Sequence, residues 1–213
     1  MKDWAADHPK AKLMARKRAA ILTAAKTVFL EFGYEGASME AIASAANVSI
    51  MTLYRHAESK DDLFAAVIAG ACDPNGEAEQ AEHHRLMQLP LAETLAGVGL
   101  IAQQRIADPA TVSLLRAVMA EVARFPGLAE TAYESFVGHQ EQWVAFILAG
   151  KHESRHLDDA ERQRLAHLFI DRLFGSDILR VLLGLGGATL ADQQQRAARA
   201  RDEVMRQIER ALA

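Results

Sequence analysis

With 213 residues, half of them hydrophobic and 24% charged, the chain has the length for one large or two small domains and the balance of a soluble globular protein. Its single cysteine, Cys72, excludes an internal disulfide framework and fits a reducing cytoplasm. The charged residues 1–17 lack the apolar stretch of a secretion signal, and the apolar runs near 143–149 and 178–185 are too short to cross a bilayer.

The formal net charge is −4, but it is unevenly spread. Residues 8–60 carry eight Lys/Arg against four acids, a surplus of +4; from residue 65 onward fifteen bases face twenty acids, a deficit of −5. A basic N-terminal end is what contact with phosphate requires.

In chain order, Lys10, Lys12, Arg16, Lys17 and Arg18 make a basic arm or first turn. Ile21, Leu22, Ala25, Val28, Phe29 and Phe32 then recur at helical spacing, and Gly33 supplies a left-handed stop. A second short helix is expected after the N-cap Ser38, with Ile42 in the core and Ala43 at a close crossing. Asn47 suits a left-handed turn residue, and Ser49 caps a third short helix whose Leu53 points inward. Residues 59–62, Ser-Lys-Asp-Asp, read as a capping box opening a fourth helix with Leu63, Phe64, Val67 and Ile68. The stretch 37–64 is therefore a helix-turn-helix plus the start of the next helix, an arrangement that lets its second short helix enter a DNA major groove.

Pro74-Asn75-Gly76 ends the fourth helix, and a polar stretch to about Gln88 reads as loop or frayed helix. Helices are expected at about 90–107, 109–124, 126–149, 158–184 and 189–212, separated by Asp108-Pro109, Phe125-Pro126-Gly127, a polar break at 150–157 and a glycine cluster at 184–187. No period-2 strand is visible. The expected fold is all-α: an N-terminal three-helix helix-turn-helix domain over 1–64, then a larger helical bundle over 65–213.

The residues Ile21-Leu22, Ala24-Ala25, Phe29, Phe32-Gly33-Tyr34, Ser38, Ile42-Ala43, Ala46, Val48-Ser49, Thr52-Leu53-Tyr54, His56 and Ser59-Lys60 stand at correct spacing without a gap. On them the chain resembles the N-terminal domain of the tetracycline-repressor-like (TetR) family of bacterial transcription regulators. Three positions depart from the family pattern. Asn47 replaces a commoner Gly, harmlessly; Ile50 stands where a basic or small residue is usual; Ala57 replaces a Phe, thinning the packing between helices three and four. Residues 121–128 also look like a segment of one subset of such proteins.

The expected DNA-contacting set is Ser38, Ser49, Ile50, Met51, Thr52, Tyr54, Arg55, His56 and Lys60. Met51 and Thr52 can reach base edges or thymine methyls. The resemblance places Ser38, Tyr54, His56 and Lys60 on phosphates, which suits hydroxyl, imidazole and ammonium groups. Arg55 has Glu58 as an alternative partner.

Two further surfaces are expected. Residues 165–185 are apolar on more than one side, so one face can pack inward and the other meet a second subunit. Leu165, Leu168, Phe169, Leu179 and Leu183, with Val204 and Ile208 of the last helix, are the expected dimer interface, and the family resemblance implies such a homodimer. Met119, Phe125, Tyr133, Phe136, His139, Trp143 and Phe146 are the expected lining of a small-molecule pocket, apolar walls with few polar anchors. That some ligand binds there, and that it relieves repression at an operator, is implied by the resemblance. The effector remains unknown at this level, no cofactor or metal is expected, and no membrane partner is.

An enzyme is the rival class. His152 and His156 with Glu153, and the pair His83-His84, have no third ligand at convincing spacing, and Cys72 has no evident base. A regulator-like protein with weakened DNA binding, acting through protein contacts, is the other alternative, kept open by Ile50 and Ala57.

Overall fold

The computed structural model describes residues 9–71 and 77–212, and every regular element among them is a helix. The protein is all-α. The chain divides into two compact units: one holds the residues up to Ala71 with Ser113–Ala132, the other Cys72–Val112 with Tyr133–Ala213. Two features differ from the expected division at residue 64. The fourth helix belongs entirely to the N-terminal unit, and so does an excursion of the chain at 113–132.

In the N-terminal unit α1 (Pro9–Gly36) packs against α2 (Met39–Ala45) and α4 (Lys60–Ala71), and α2 packs on α3 (Ile50–Leu53). Ile21, Ala25, Val28 and Phe29 are buried as their spacing requires, whereas Phe32 turns outward and is 54% exposed. Gly33 interrupts α1 with φ 69° and ψ 176°, a backbone region that only glycine enters cheaply. The break turns Tyr34 back into the core. Its ring lies 5.0 Å from Phe64 and 5.3 Å from Phe125, and Phe29 meets Phe64 edge-on at 4.8 Å. Leu63, Phe64, Val67 and Ile68 are all buried, which explains why α4 cannot be cut away at residue 64.

The C-terminal unit contains α5 (Glu77–Met87), α6 (Leu91–Ala107), α9 (His139–Gly150), α10 (Asp159–Phe174), α11 (Asp177–Leu182) and α12 (Leu190–Arg210). The polar stretch before Gln88 is thus a helix. The helices α7 (Pro109–Glu121) and α8 (Gly127–Tyr133) contribute residues to both units. A π-helical turn, Glu134–Gly138, joins α8 to α9, so the stretch expected as one helix over 126–149 is two helices and a widened turn.

Helices α6, α9, α10 and α12 enclose a core built on Leu95, Val98, Val144, Ile147, Leu165, Phe169, Leu173, Val204 and Ile208. A Cβ added at Gly99 would meet Leu173, Phe169 and Ala197 at 3.0–3.3 Å; the missing side chain is what lets α6 sit this close to α10 and α12. The polar break at 150–157 is a fastening segment. Lys151 Nζ donates to the carbonyls of Met87 and Leu89, Ser154 Oγ donates to Leu148, and Glu153 accepts from the Leu91 N–H, capping α6 where Pro90 has no side-chain cap to offer. Capping boxes open α10 (Asp158 with Glu161) and α12 (Thr189 with Asp192). The helix expected over 158–184 is broken at Gly175, φ 48° and ψ −141°, into α10 and α11.

This core corrects the expected dimer surface. Leu165, Phe169, Val204 and Ile208 are 0–2% exposed inside their own protomer, so a second subunit cannot reach them. They are apolar because α10 and α12 close the core. Leu168 is half-buried against that same core, while Leu179 and Leu183 are open to solvent.

Candidate nucleic-acid interface

The helix-turn-helix is built from three serine caps and one turn. Ser38 Oγ accepts from the Ala41 N–H at 3.1 Å, Ser49 Oγ from the Thr52 N–H at 3.2 Å, and Ser59 Oγ from the Asp62 N–H at 3.0 Å. Each satisfies a backbone donor that a helix start leaves unpaired. Asn47 takes the left-handed turn conformation, φ 52°, as its type and position led one to expect. The Val48 N–H reaches back to the Ala43 carbonyl at 3.0 Å, closing the turn.

Helix α3 itself is one turn long. Its continuation to His56 is held by successive bonds from Tyr54, Arg55, His56 and Ala57 N–H groups to the carbonyls three or four residues earlier. Leu53 is wholly buried behind it. Ser49, Met51, Tyr54 and Arg55 are exposed, Met51 by 67%, and Ile50, Thr52 and His56 are half-exposed. Ser38 is exposed at the start of α2. All nine residues of the expected DNA-contacting set lie in the N-terminal unit, and none is buried.

Four of the nine, Ser38, Ser49, Thr52 and Lys60, already have work within the fold, the two serines as helix caps. The Thr52 hydroxyl lies 2.9 Å from Ser49 Oγ, so both hydroxyls are oriented before any partner arrives. Lys60 Nζ donates to the carbonyls of Tyr34 at 2.8 Å and Ala37 at 3.1 Å and sits 4.3 Å from the centre of the Tyr34 ring. Of its three N–H donors, one is left over. The neighbouring Asp61 accepts a hydrogen bond from the Tyr34 hydroxyl. Burial, reinforced by that bond and by the Asp61 charge, pushes the Tyr34 phenol well above its ordinary range, so it stays protonated and donating.

His56 is pushed below its ordinary value by burial first, then by the nearby charges of Arg18 and Lys17. Its imidazole is neutral at pH 7 and stands in a field of positive charge. Sequence inspection placed Arg18 and Lys17 in a basic arm; the fold brings that arm to the end of the recognition segment. The side chains of Lys10 and Lys12 lie outside the described residues, as does Cys72.

The seven expected pocket residues divide between the units. Met119, 58% exposed, and Phe125, packed on Tyr34 and Arg124, belong to the N-terminal unit. Phe125 is half-buried there. In the C-terminal unit Phe136 is buried, and Tyr133, His139 and Phe146 are exposed. Trp143 stacks on Phe146 at 5.4 Å and against His83 at 5.2 Å, and its buried Nε1–H has no acceptor among the described residues. Burial holds the His83 imidazole below its usual pKa. Among the described residues no three of His, Cys, Asp or Glu gather as metal ligands would, and no helix is long and apolar enough to cross a membrane.

A capped pair of short helices with a solvent-facing second member, joined to a larger helical unit, defines the helix-turn-helix regulators as a class. The family comparisons agree. Residues 21–67 match the bacterial regulatory proteins of the tetR family, and residues 93–206 match the C-terminal domain of AefR-like transcriptional repressors. The chain belongs to the TetR family of bacterial transcriptional regulators.

Among its relatives, an uncharacterised HTH-type transcriptional regulator of Mycobacterium tuberculosis (strain ATCC 25618 / H37Rv) is 33% identical over 123 residues, 55% of this chain and 54% of that protein. The chain spans about half the length of the mycobacterial relatives it matches. A solved structure titled flavonoid-responsive regulator FrrA is 29% identical, with a TM-score of 0.66 over 91% of this chain and 96% of its own. A TetR regulator from Agrobacterium tumefaciens shares the fold at 20% identity, with a TM-score of 0.70 over 90% of this chain and 93% of its own.

Proposed function

We propose that the chain is a ligand-responsive repressor that binds double-stranded operator DNA as a homodimer and lets go when a small molecule occupies its C-terminal unit. The observation that carries this reading is the outward set Ser49, Met51, Thr52, Tyr54 and Arg55, mounted on a helix fixed from behind by the buried Leu53. Ser38 and His56 flank it with phosphate-suited groups, and Arg18 and Lys17 supply positive charge. Lys60 contributes the one donor its structural role leaves over.

A dimer presents two such segments to half-sites about 34–36 Å apart. Its contact surface would include the exposed Leu179 and Leu183 with the neighbouring Leu185 and Leu190, 55–65% open, in place of the core residues expected from sequence.

For the effector, the resemblance to a flavonoid-responsive regulator and the aromatic group Trp143–Phe146–His83 support a flat aromatic molecule. Such a ligand would extend the stack and accept from Trp143 Nε1–H. Its binding shifts DNA affinity only if it favours one spacing of the two recognition segments over another. The test is an electrophoretic shift with the DNA upstream of the protein's own coding region, repeated with a panel of flavonoids. Retardation relieved by one of them supports the reading; a protein that never retards the fragment overturns it.

A further inference from the structure

The C-terminal unit carries a second recess, away from Trp143, that the regulator reading does not use. It is about 530 Å³ in volume and is walled by the last residues of α10, the Gly175–Ser176 turn and one face of α12. Four guanidinium groups line it, Arg172, Arg196, Arg199 and Arg206, against only two carboxylates, Asp177 and Glu203. That is a local surplus of two positive charges in a region of the chain whose net charge is negative.

The six charged groups are not equivalent. Arg196 is paired with Asp177, and Arg206 with Glu203, whose carboxyl is drawn down to about 2 chiefly by its hydrogen bond to Arg206. Arg172 and Arg199 have no carboxylate bonded to them among the described residues. Two neutralised pairs thus frame two guanidiniums with open donor forks. A guanidinium fork matches carboxylate and phosphate oxygens in a bidentate way.

The recess also has an apolar inner end. A small chamber of about 30 Å³ adjoins it, sharing Phe174, Asp177 and Arg196 and bounded by Ile106, Leu173 and Ile178 among others. Its floor is fixed: Gln103 Nε2 donates to the Gln193 carbonyl at 2.7 Å, stitching α6 to α12. The Arg196–Asp177 pair stands at the junction of the two spaces, where a ligand carboxylate or phosphate could displace Asp177 from Arg196.

We propose that this cleft binds a small organic dianion, a phosphate ester or dicarboxylate with a short apolar body, its charged head on Arg172 and Arg199 and its body on Phe174. The volume lies within the range of ordinary ligand sites. The chamber behind Phe174 is only about the size of a water molecule, so the apolar body lies against Phe174 in the larger recess. Such binding does not depend on whether the protein reads DNA.

The experiment is calorimetric titration of the intact protein with phenyl phosphate and, separately, inorganic phosphate. Expected is saturable binding of phenyl phosphate at one per protomer. The double variant Arg172→Gln/Arg199→Gln should weaken it about tenfold or more, as loss of charge-assisted hydrogen bonds does. Phe174→Leu should weaken phenyl phosphate while leaving inorganic phosphate unchanged. Circular dichroism and melting curves confirm that each variant is folded; a single Arg172→Lys variant, which keeps the charge but loses the fork, serves if the double variant is not. Equal affinity in wild type and variants, or no heat of binding up to millimolar phenyl phosphate, overturns the proposal. So does a change in sedimentation mass of the double variant with phenyl phosphate binding intact, which would mean that a second copy fills the cleft.

Discussion

The Lys60 ammonium donates to the main-chain oxygen of Tyr34 at 2.8 Å, while the next residue along, Asp61, receives the Tyr34 hydroxyl. One tyrosine is thereby gripped at both ends by the first turn of α4. The grip sets where α4 begins relative to α1, and with it the backing of the recognition segment. Family resemblance marks Lys60 as a phosphate contact; the structure adds that it is first a staple.

The staple has a stability cost when broken. Tyr34→Phe removes one hydrogen bond from a buried ring to a carboxylate at the surface, and is expected to cost ~1 kcal/mol. Lys60→Met strands two carbonyls and should cost ~1–2 kcal/mol while also weakening DNA binding. Urea denaturation followed by circular dichroism measures both. Unchanged midpoints would mean that the Tyr34 bonds carry no net stability.

Gly33 is expected to resist substitution for a backbone reason. At φ 69° and ψ 176° any side chain is strained, although a Cβ would meet nothing within 4 Å. Gly33→Ala should therefore destabilise the fold by ~1–3 kcal/mol through conformation alone. A thermal melt that matches the wild type would contradict this.

Burial separates two residues expected at a dimer surface, Phe169 in the protomer core and Leu183 in solvent, and the predictions for them are opposite. Phe169→Ala opens a cavity in the protomer core and should cost ~3–5 kcal/mol in unfolding free energy. Leu183→Ser, at an exposed site, should leave protomer stability within ~0.5 kcal/mol and weaken self-association. Sedimentation velocity and denaturant unfolding read the two effects separately. Leu183→Ser with undiminished self-association would remove Leu183 from the interface.

These outcomes also mark how far the sequence could be read. The serine caps, the Asn47 turn and the buried Leu53 were legible because they depend on hydrogen bonds and side-chain periodicity within a few residues. Which of the apolar residues after 164 are buried in the protomer was not. A helix apolar on two sides announces that both are covered, but its spacing does not say which cover is its own core; Leu165 and Phe169 turned inward. The double duty of Lys60 was hidden for a related reason, since its partners Tyr34 and Ala37 lie more than twenty residues earlier. Arg172 and the arginines of α12 are likewise separated in sequence, and the packing of α12 on α10 brings them to one recess.

His56 should make DNA binding depend on pH. In the free protein its pKa lies below the ordinary 6.5, because burial and then Arg18 and Lys17 disfavour the charged form. A bound phosphate would favour that form and raise the pKa, so binding takes up a proton. Affinity should then rise as pH falls through the bound-state pKa and level off below the free-state value, which lies under 6.5. His56→Gln should flatten the profile. A wild-type affinity independent of pH across both values would show that no phosphate lies beside His56.

Fluorescence anisotropy of labelled upstream DNA across a salt series reads out whether the exposed side of α3 meets a duplex. The logarithm of affinity should fall linearly with the logarithm of salt, by about 0.9 for each phosphate neutralised. Arg18→Ala should lower the slope by roughly one unit. Thr52→Ala should keep the slope and change which sequences are preferred. If Arg18→Ala and Thr52→Ala both left slope and preference as in the wild type, α3 would not be the surface that meets DNA.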